Sequence, residues 1–154
     1  MPDFGYSYQS YDPVVHVRSS AREIKVSHKA AREVCHSIKG MKLQKAKTFL
    51  EDVSELNRAV AFRRHKKEGA HRSGLGDFHT GKYPVKTAKK VLEVITNLES
   101  NAEFKGFDTE KLILVHASAH KGRIMRGFIP RAFGRSSPSN NTLVHLELVA
   151  SEKK

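Results

Sequence analysis

One stretch limits the possible folds more than any other. It opens as an alternating run, Lys111-Leu-Ile-Leu-Val-His-Ala-Ser-Ala-His120, and closes as a second, Thr142-Leu-Val-His-Leu-Glu-Leu-Val-Ala150. Apolar and polar side chains that alternate residue by residue mark strands with one buried face. The two runs predict a long antiparallel hairpin over about residues 111–150. Between them lies Lys121-Gly-Arg-Ile-Met-Arg-Gly-Phe-Ile-Pro-Arg-Ala-Phe-Gly-Arg135, and no acidic residue falls between Glu110 and Glu147. Lys111, Lys121, Arg123, Arg126, Arg131 and Arg135 supply the charge over that span.

The alternation groups Ile113 with Val115 and Ala117 on one face, and Leu114 with His116 and Ser118 on the other. In the return arm Val144, Leu146 and Leu148 alternate with Leu143, His145 and Glu147. These ends read as sheet packed on helices. From Ala119 outward the large apolar residues give way to bases, serines and asparagines. Ten or so residues per arm would project about 30 Å. Such an arm buries too little surface to hold its shape without a partner along its length. The tip mixes Met125, Phe128, Ile129, Ile124 and Phe133 with arginines, and Gly127, Pro130 and Gly134 shape its turn. Arginine bonds phosphate through two nitrogens and stacks on bases, and phenylalanine stacks as well.

Charge supports a polyanionic partner. The 154 residues carry 28 Lys and Arg against 16 Asp and Glu, a formal net charge of +12. RNA, DNA and an anionic membrane are the candidate surfaces. No apolar run approaches the roughly 18 residues that would span a bilayer. The start, Met1-Pro-Asp-Phe-Gly-Tyr6, has neither the basic nor the apolar segment of a secretory signal. Cys35 is the one cysteine, so an internal disulfide is excluded and a reducing, cytoplasmic setting is expected.

The rest of the chain reads as one α+β domain. Phe4, Tyr6, Tyr8 and Tyr11 sit on a tail without Lys or Arg, expected to pack against its own domain. Val14-Val-His-Val-Arg18 reads as a short strand, followed by a connector through Lys25 that brings Arg18, Arg22 and Lys25 together. Ser27 is the expected N-cap of a helix with Ala30, Ala31, Val34, Cys35 and Ile38 on its apolar stripe and Gly40 as its stop. Cys35 reads there as a small buried hydrophobe. A second helix is expected from about Lys42 to Asn57, on Leu43, Ala46, Phe49, Leu50, Val53 and Leu56. Pro84 suits the first turn of a third, with Val85, Ala88, Val91, Leu92, Ile95, Leu98 and Ala102 inward and Gly106 as stop. Lys82, Lys86, Lys89 and Lys90 crowd its start, against the helix dipole, and a bound phosphate would relieve that conflict.

Residues 58–83 form a basic, glycine-rich insert with Arg63, Arg64, Lys66, Lys67 and Arg72. Its composition predicts a flexible segment that folds on a nucleic acid. Gly74-Leu-Gly76 does not fit a dinucleotide fingerprint. His65, His71 and His79 lack the cysteine or acid partners of a zinc site, so no metal and no cofactor is expected. No enzyme signature appears.

Several motifs carry a resemblance. Arg18-Ser-Ser-Ala21, Asn101-Ala-Glu103 and the tip Pro130-Arg-Ala-Phe-Gly-Arg135 resemble the universal large-subunit ribosomal protein of the exit tunnel, number twenty-two in the bacterial count. Gly81-Lys-Tyr-Pro-Val-Lys86, Ala119-His-Lys-Gly122 and the insert are similar to its archaeal and eukaryotic branch. The resemblance implies three helices on a three-stranded antiparallel sheet with a long protruding hairpin. It implies a monomer that binds large-subunit ribosomal RNA beside neighbouring ribosomal proteins, without a membrane. Arg18, Arg22, Lys25, the bases of the insert, Lys82, Lys86, His120, Lys121, Arg123, Arg131 and Arg135 are then the expected RNA contacts. Met125, Arg126, Gly127, Phe128, Ile129 and Pro130 would line the tunnel and meet the nascent polypeptide. Bacterial members tend to carry two bases where this chain has Arg126-Gly127. The rival reading from charge alone is an architectural DNA-binding protein with a basic ribbon, and less favoured is an RNA-processing enzyme.

Overall fold

The computed structural model describes residues 5–67, 69–76 and 78–152; Phe4 lies outside them. In chain order its elements are β1 (His16–Ile24), α1 (His28–Ile38), α2 (Leu43–Ser54), β2 (Val60–Ala61), β3 (Gly81–Lys82) and α3 (Val85–Phe104). There follow a single 3-10 turn (Thr109–Lys111), β4 (Leu112–Met125), β5 (Phe128–Pro130), β6 (Ser136–Pro138) and β7 (Asn141–Glu152). β1, β7 and β4 make a three-stranded antiparallel sheet with β7 in the centre. The three helices pack on one face of it. Their stripes meet Leu112, Leu114, Val144, Leu146 and Leu148 in one core. The α+β class and the helices-on-sheet arrangement expected from the sequence are the ones found.

β1 is longer than its sequence suggests. The expected connector Ser19 to Ile24 is strand, paired as Ser19↔Leu148 and Ala21↔Leu146. Its inward residues after Val17 are small, Ser19 and Ala21, so α3 can lie close, and Asn101 donates to the Arg18 carbonyl at 3.2 Å. A strand facing a nearby helix needs small inward residues more than large apolar ones, which hid the strand from a hydrophobic reading.

β4 carries a bulge at Leu114/His116. One extra residue reverses the alternation. Leu112 and Leu114 point to the core before it, and Ala117 and Ala119 after it. The predicted grouping of Ile113, Val115 and Ala117 is therefore corrected: Ala117 belongs with the core, and His116 and Ser118 turn outward. The turn between α1 and α2 docks on the same strand, with Gly40 donating to Leu114 at 2.7 Å and Leu114 to Met41 at 2.9 Å.

The helix expectations hold except at ends. Ser27 stands at the N-cap of α1, but its hydroxyl makes no capping bond. α2 stops at Ser54, and Leu56 leaves the stripe with φ +68° and 58% exposure. Arg58 instead lies over the ring of Phe49 at 4.8 Å. α3 additionally buries Val94, while Leu92 is half-buried.

The tail covers the second face of the sheet, as expected. Tyr8 lies against His16 and His116, and Tyr6 donates to Ser20 at 3.1 Å. β7, central and covered on both faces, is buried almost without a break from Leu143 to Ala150. No helix among the described residues is long and apolar enough to cross a membrane.

Candidate nucleic-acid interface

The basic insert is folded rather than loose. β2 and β3 pair through Val60↔Lys82 and Ala61↔Gly81. Further bonds run from Phe62 to Thr80 at 3.0 Å, Arg72 to His79 at 2.8 Å and Gly81 to Ala70 at 3.1 Å. Val60 and Phe62 enter the core. Glu33 of α1 is fully buried and accepts from the main-chain amides of Arg63 at 3.3 Å and Arg64 at 3.2 Å. It also pairs with Arg32 at 2.7 Å. The expectation of a flexible segment is corrected here: short ladders and a buried carboxylate fix the insert to the body. Arg63, Arg64, Lys66, Lys67 and Arg72 nevertheless keep their side chains exposed. Three bases are steadied by aromatic faces: Arg63 by Phe78 at 5.4 Å, Arg72 by Tyr83 at 5.2 Å and Lys82 by Phe62 at 5.5 Å.

Bases from separate segments converge where the hairpin leaves the body. His65 of the insert meets His28 of α1, ring centres 6.4 Å apart. Burial, and then the charges of Lys121, Lys29 and His65, hold His28 below the usual histidine range. The three positive neighbours come from α1, β4 and the insert. Beside it Lys25 and Lys86 line an open cleft of about 650 Å³, between the starts of α1, α3 and β7.

The hairpin extends past this cleft. β4 and β7 stay paired to Met125↔Asn141, with a second irregularity between Lys121 and Ile124. Gly122 is needed there. A Cβ on it would lie 2.8 Å from the ring of His145, which accepts the Glu23 amide at 3.1 Å and so ties β1 to the hairpin. Beyond Met125 the chain forms a small separate ladder, Phe128↔Pro138, Ile129↔Ser137 and Pro130↔Ser136. The turn is closed by Arg131 donating to the Arg135 carbonyl at 2.8 Å, with Phe133 and Gly134 at positive φ. Phe128 and Phe133 are 71% and 98% exposed, and Met125, Arg126, Ile129, Pro130, Arg131 and Arg135 are exposed too. The hairpin is not folded back on the core.

Three expected contacts sit elsewhere. Arg18 is clasped between the rings of Tyr6 and Tyr11, 4.6 Å from each. Arg22 is half-buried and lies 3.8 Å from Glu147. His120 faces the same carboxylate at 3.7 Å and meets Ser118 at 2.9 Å. All three belong to the face the tail covers. Lys25, the insert bases, Lys82, Lys86, Lys121 and Arg123 remain on the other surfaces. The sequence reading missed His28, Lys29 and Glu33. Glu33 lies at the edge of a helical stripe, and nothing local says that an insert will close over it. Cys35 is buried, its thiol pushed up to about 12 by that burial, and acts as a core residue. Among the described residues no three of His, Cys, Asp and Glu gather as metal ligands would.

A model of the family Ribosomal protein L22p/L17e matches residues 19–151. The chain belongs to that family. Curated relatives agree over nearly the whole length. A Large ribosomal subunit protein uL22 from Cenarchaeum symbiosum is 53% identical over 99% of both chains. One from Nitrosopumilus maritimus is 52% identical over 99% of both, and one from Archaeoglobus fulgidus is 47% identical over 97% of both. These archaeal relatives include the insert in the matched length, so this is a ribosomal protein of the archaeal uL22 type. Both the family and the branch agree with the motifs at the tip and around Gly81.

Proposed function

We propose that the chain is a structural, RNA-binding constituent of the large ribosomal subunit in the cytoplasm. Its body binds large-subunit ribosomal RNA through the converging bases of α1, the insert and the hairpin. The hairpin passes between RNA segments, and its tip, Met125 to Pro130, lines the peptide exit tunnel. It acts there as a monomer, beside neighbouring ribosomal proteins and the nascent polypeptide, and has no catalytic role.

The observation that carries this reading is the exposed outer hairpin. Exposed aromatic and apolar residues alternate with arginines that have no acidic partner among the described residues, over an acid-free span, which suits stacking and phosphate contacts along a fixed channel. An architectural DNA-binding protein would pair such ribbons in a dimer. The tip here ends in its own closed turn, with β5 and β6 paired to each other.

Co-sedimentation tests the reading. The chain should remain on washed large subunits until high salt, with the steep salt dependence of multiple phosphate contacts. Release at low salt, or equal affinity for duplex DNA, would remove it.

A further inference from the structure

Two helices begin at one place. α1 starts at His28 and α3 at Val85, and both starts line the 650 Å³ cleft. Neither helix has a side-chain cap, and neither first turn holds an acidic residue. The first bonds back into them run from Ala31 to Ser27 and from Ala88 to Pro84. The amides of His28, Lys29 and Ala30, and those of Lys86 and Thr87, have no acceptor among the described residues. Lys25 and Lys86 are exposed beside them and make no ion pair among the described residues. Two positive dipole ends and two lysines thus face one space without a counter-charge.

Thr87 points separately to a ligand. It is 3% exposed and lines the cleft, yet its hydroxyl has no partner among the described residues. Other helical threonines satisfy theirs within the helix: Thr48 donates to Gln44 at 3.2 Å and Thr96 to Leu92 at 3.1 Å. Its side chain is buried but its hydroxyl opens on the cleft, where a ligand can accept from it.

We infer that this cleft holds a backbone phosphate of RNA, bound by the amides of both helix starts, the Thr87 hydroxyl, Lys25 and Lys86. The inference rests on the RNA-binding reading above and gives it a specific anchor. Phosphate offers the charge and the several acceptor oxygens that so many convergent donors require. Ser27, uncapped and exposed, adds a further donor at the rim. Asn140 and Asn141 at the start of β7 line the same cleft.

The test compares two charge-matched variants of the full chain for binding to purified large-subunit ribosomal RNA. Ser27→Asp with Lys86→Glu places acids in the cleft, where they should also favour both helix dipoles and leave the melting temperature unchanged or higher. Gln44→Asp with Lys45→Glu makes the same charge change at the start of α2, away from the cleft. The cleft variant should bind about tenfold more weakly near 0.1 M salt and lose roughly one to two from the salt slope, well beyond the α2 variant. Equal losses in the two, with the unaltered chain binding tightly, overturn the cleft but keep the RNA reading. If the unaltered chain prefers duplex DNA, both fall. Should the cleft variant not fold, titration of the labelled unaltered chain with inorganic phosphate decides. Amide shifts at residues 28–30 and 86–87, absent with chloride, support the site; their absence overturns it.

Discussion

Ser7 and Glu147, near opposite ends of the chain, share two hydrogen bonds. The Ser7 hydroxyl donates to the carboxylate at 2.6 Å and its amide to the same oxygen at 2.9 Å. Glu147 is 2% exposed in the central strand, with Arg22 and His120 nearby. The tail is thus fixed by an internal acid that also answers the bases beneath it. Glu147→Ala should cost about 2–3 kcal/mol, as expected when a buried charged acceptor is removed. Ser7→Ala should cost about 1–2 kcal/mol. Both should speed amide exchange over residues 6–11, read by mass spectrometry; unchanged protection there would show that the tail is held by its tyrosines alone.

Stability should fall with pH in two stages. His28 and His116 both lie below the usual histidine value, chiefly through burial and then through neighbouring positive charge. The unfolded chain takes up those protons first, near pH 6.5. The stabilisation they give is complete above that pH and is lost as pH falls through their lower folded values. Burial alone would raise Glu147, but the Ser7 bonds, with His120 and Arg22, outweigh it and hold the carboxyl down. Its contribution is present above about pH 4.3 and disappears on further acidification. Melting temperature against pH should show both declines, and His28→Gln should reduce the first.

Glu33 should behave as the fastener of the insert. Glu33→Ala leaves the Arg63 and Arg64 amides without their acceptor, at an expected cost of about 2–4 kcal/mol. Glu33→Gln retains one acceptor oxygen and should cost less. Limited proteolysis of residues 63–80 should accelerate in the same order. Equal cleavage in all three chains would mean that Val60 and Phe62 hold the insert without help.

The outer hairpin should be dispensable for folding. Its ladder of β5 and β6 is separate from the main sheet, and its apolar residues lie outside the core. Deleting residues 125–131 should change stability by no more than about 1 kcal/mol, a shift of roughly 2–4 °C. Large-subunit assembly or nascent-chain passage should change instead, as seen in sucrose-gradient profiles. Global unfolding on deletion would refute an independent projection.

The helices were readable because each buries a stripe against a large core, so periodicity survives in the side chains. The arms of the hairpin were readable for the same reason. The second half of β1 was not, since Ser19 and Ala21 suit the closeness of α3 and not a hydrophobic pattern. The surroundings of Arg18, Arg22 and His120 were hidden for another reason. A base in a strand can answer an internal acid or an external phosphate, and only the folded tail decides which. The insert lost its apparent looseness because Glu33, thirty residues upstream of Arg63, supplies acceptors that composition cannot reveal.

The bulge beside Val115 also acts as a phase setting. From there to the second irregularity after Lys121, the side chains of β4 point opposite to where an unbroken ladder would send them. The direction in which Lys121 faces is therefore fixed by a residue count far back in the body. Substitutions along the outer arm can vary chemistry while this phase holds. A single-residue insertion or deletion between the bulge and Lys121 would turn Lys121 to the opposite face of the sheet. Along that segment length should be far less free to drift than composition.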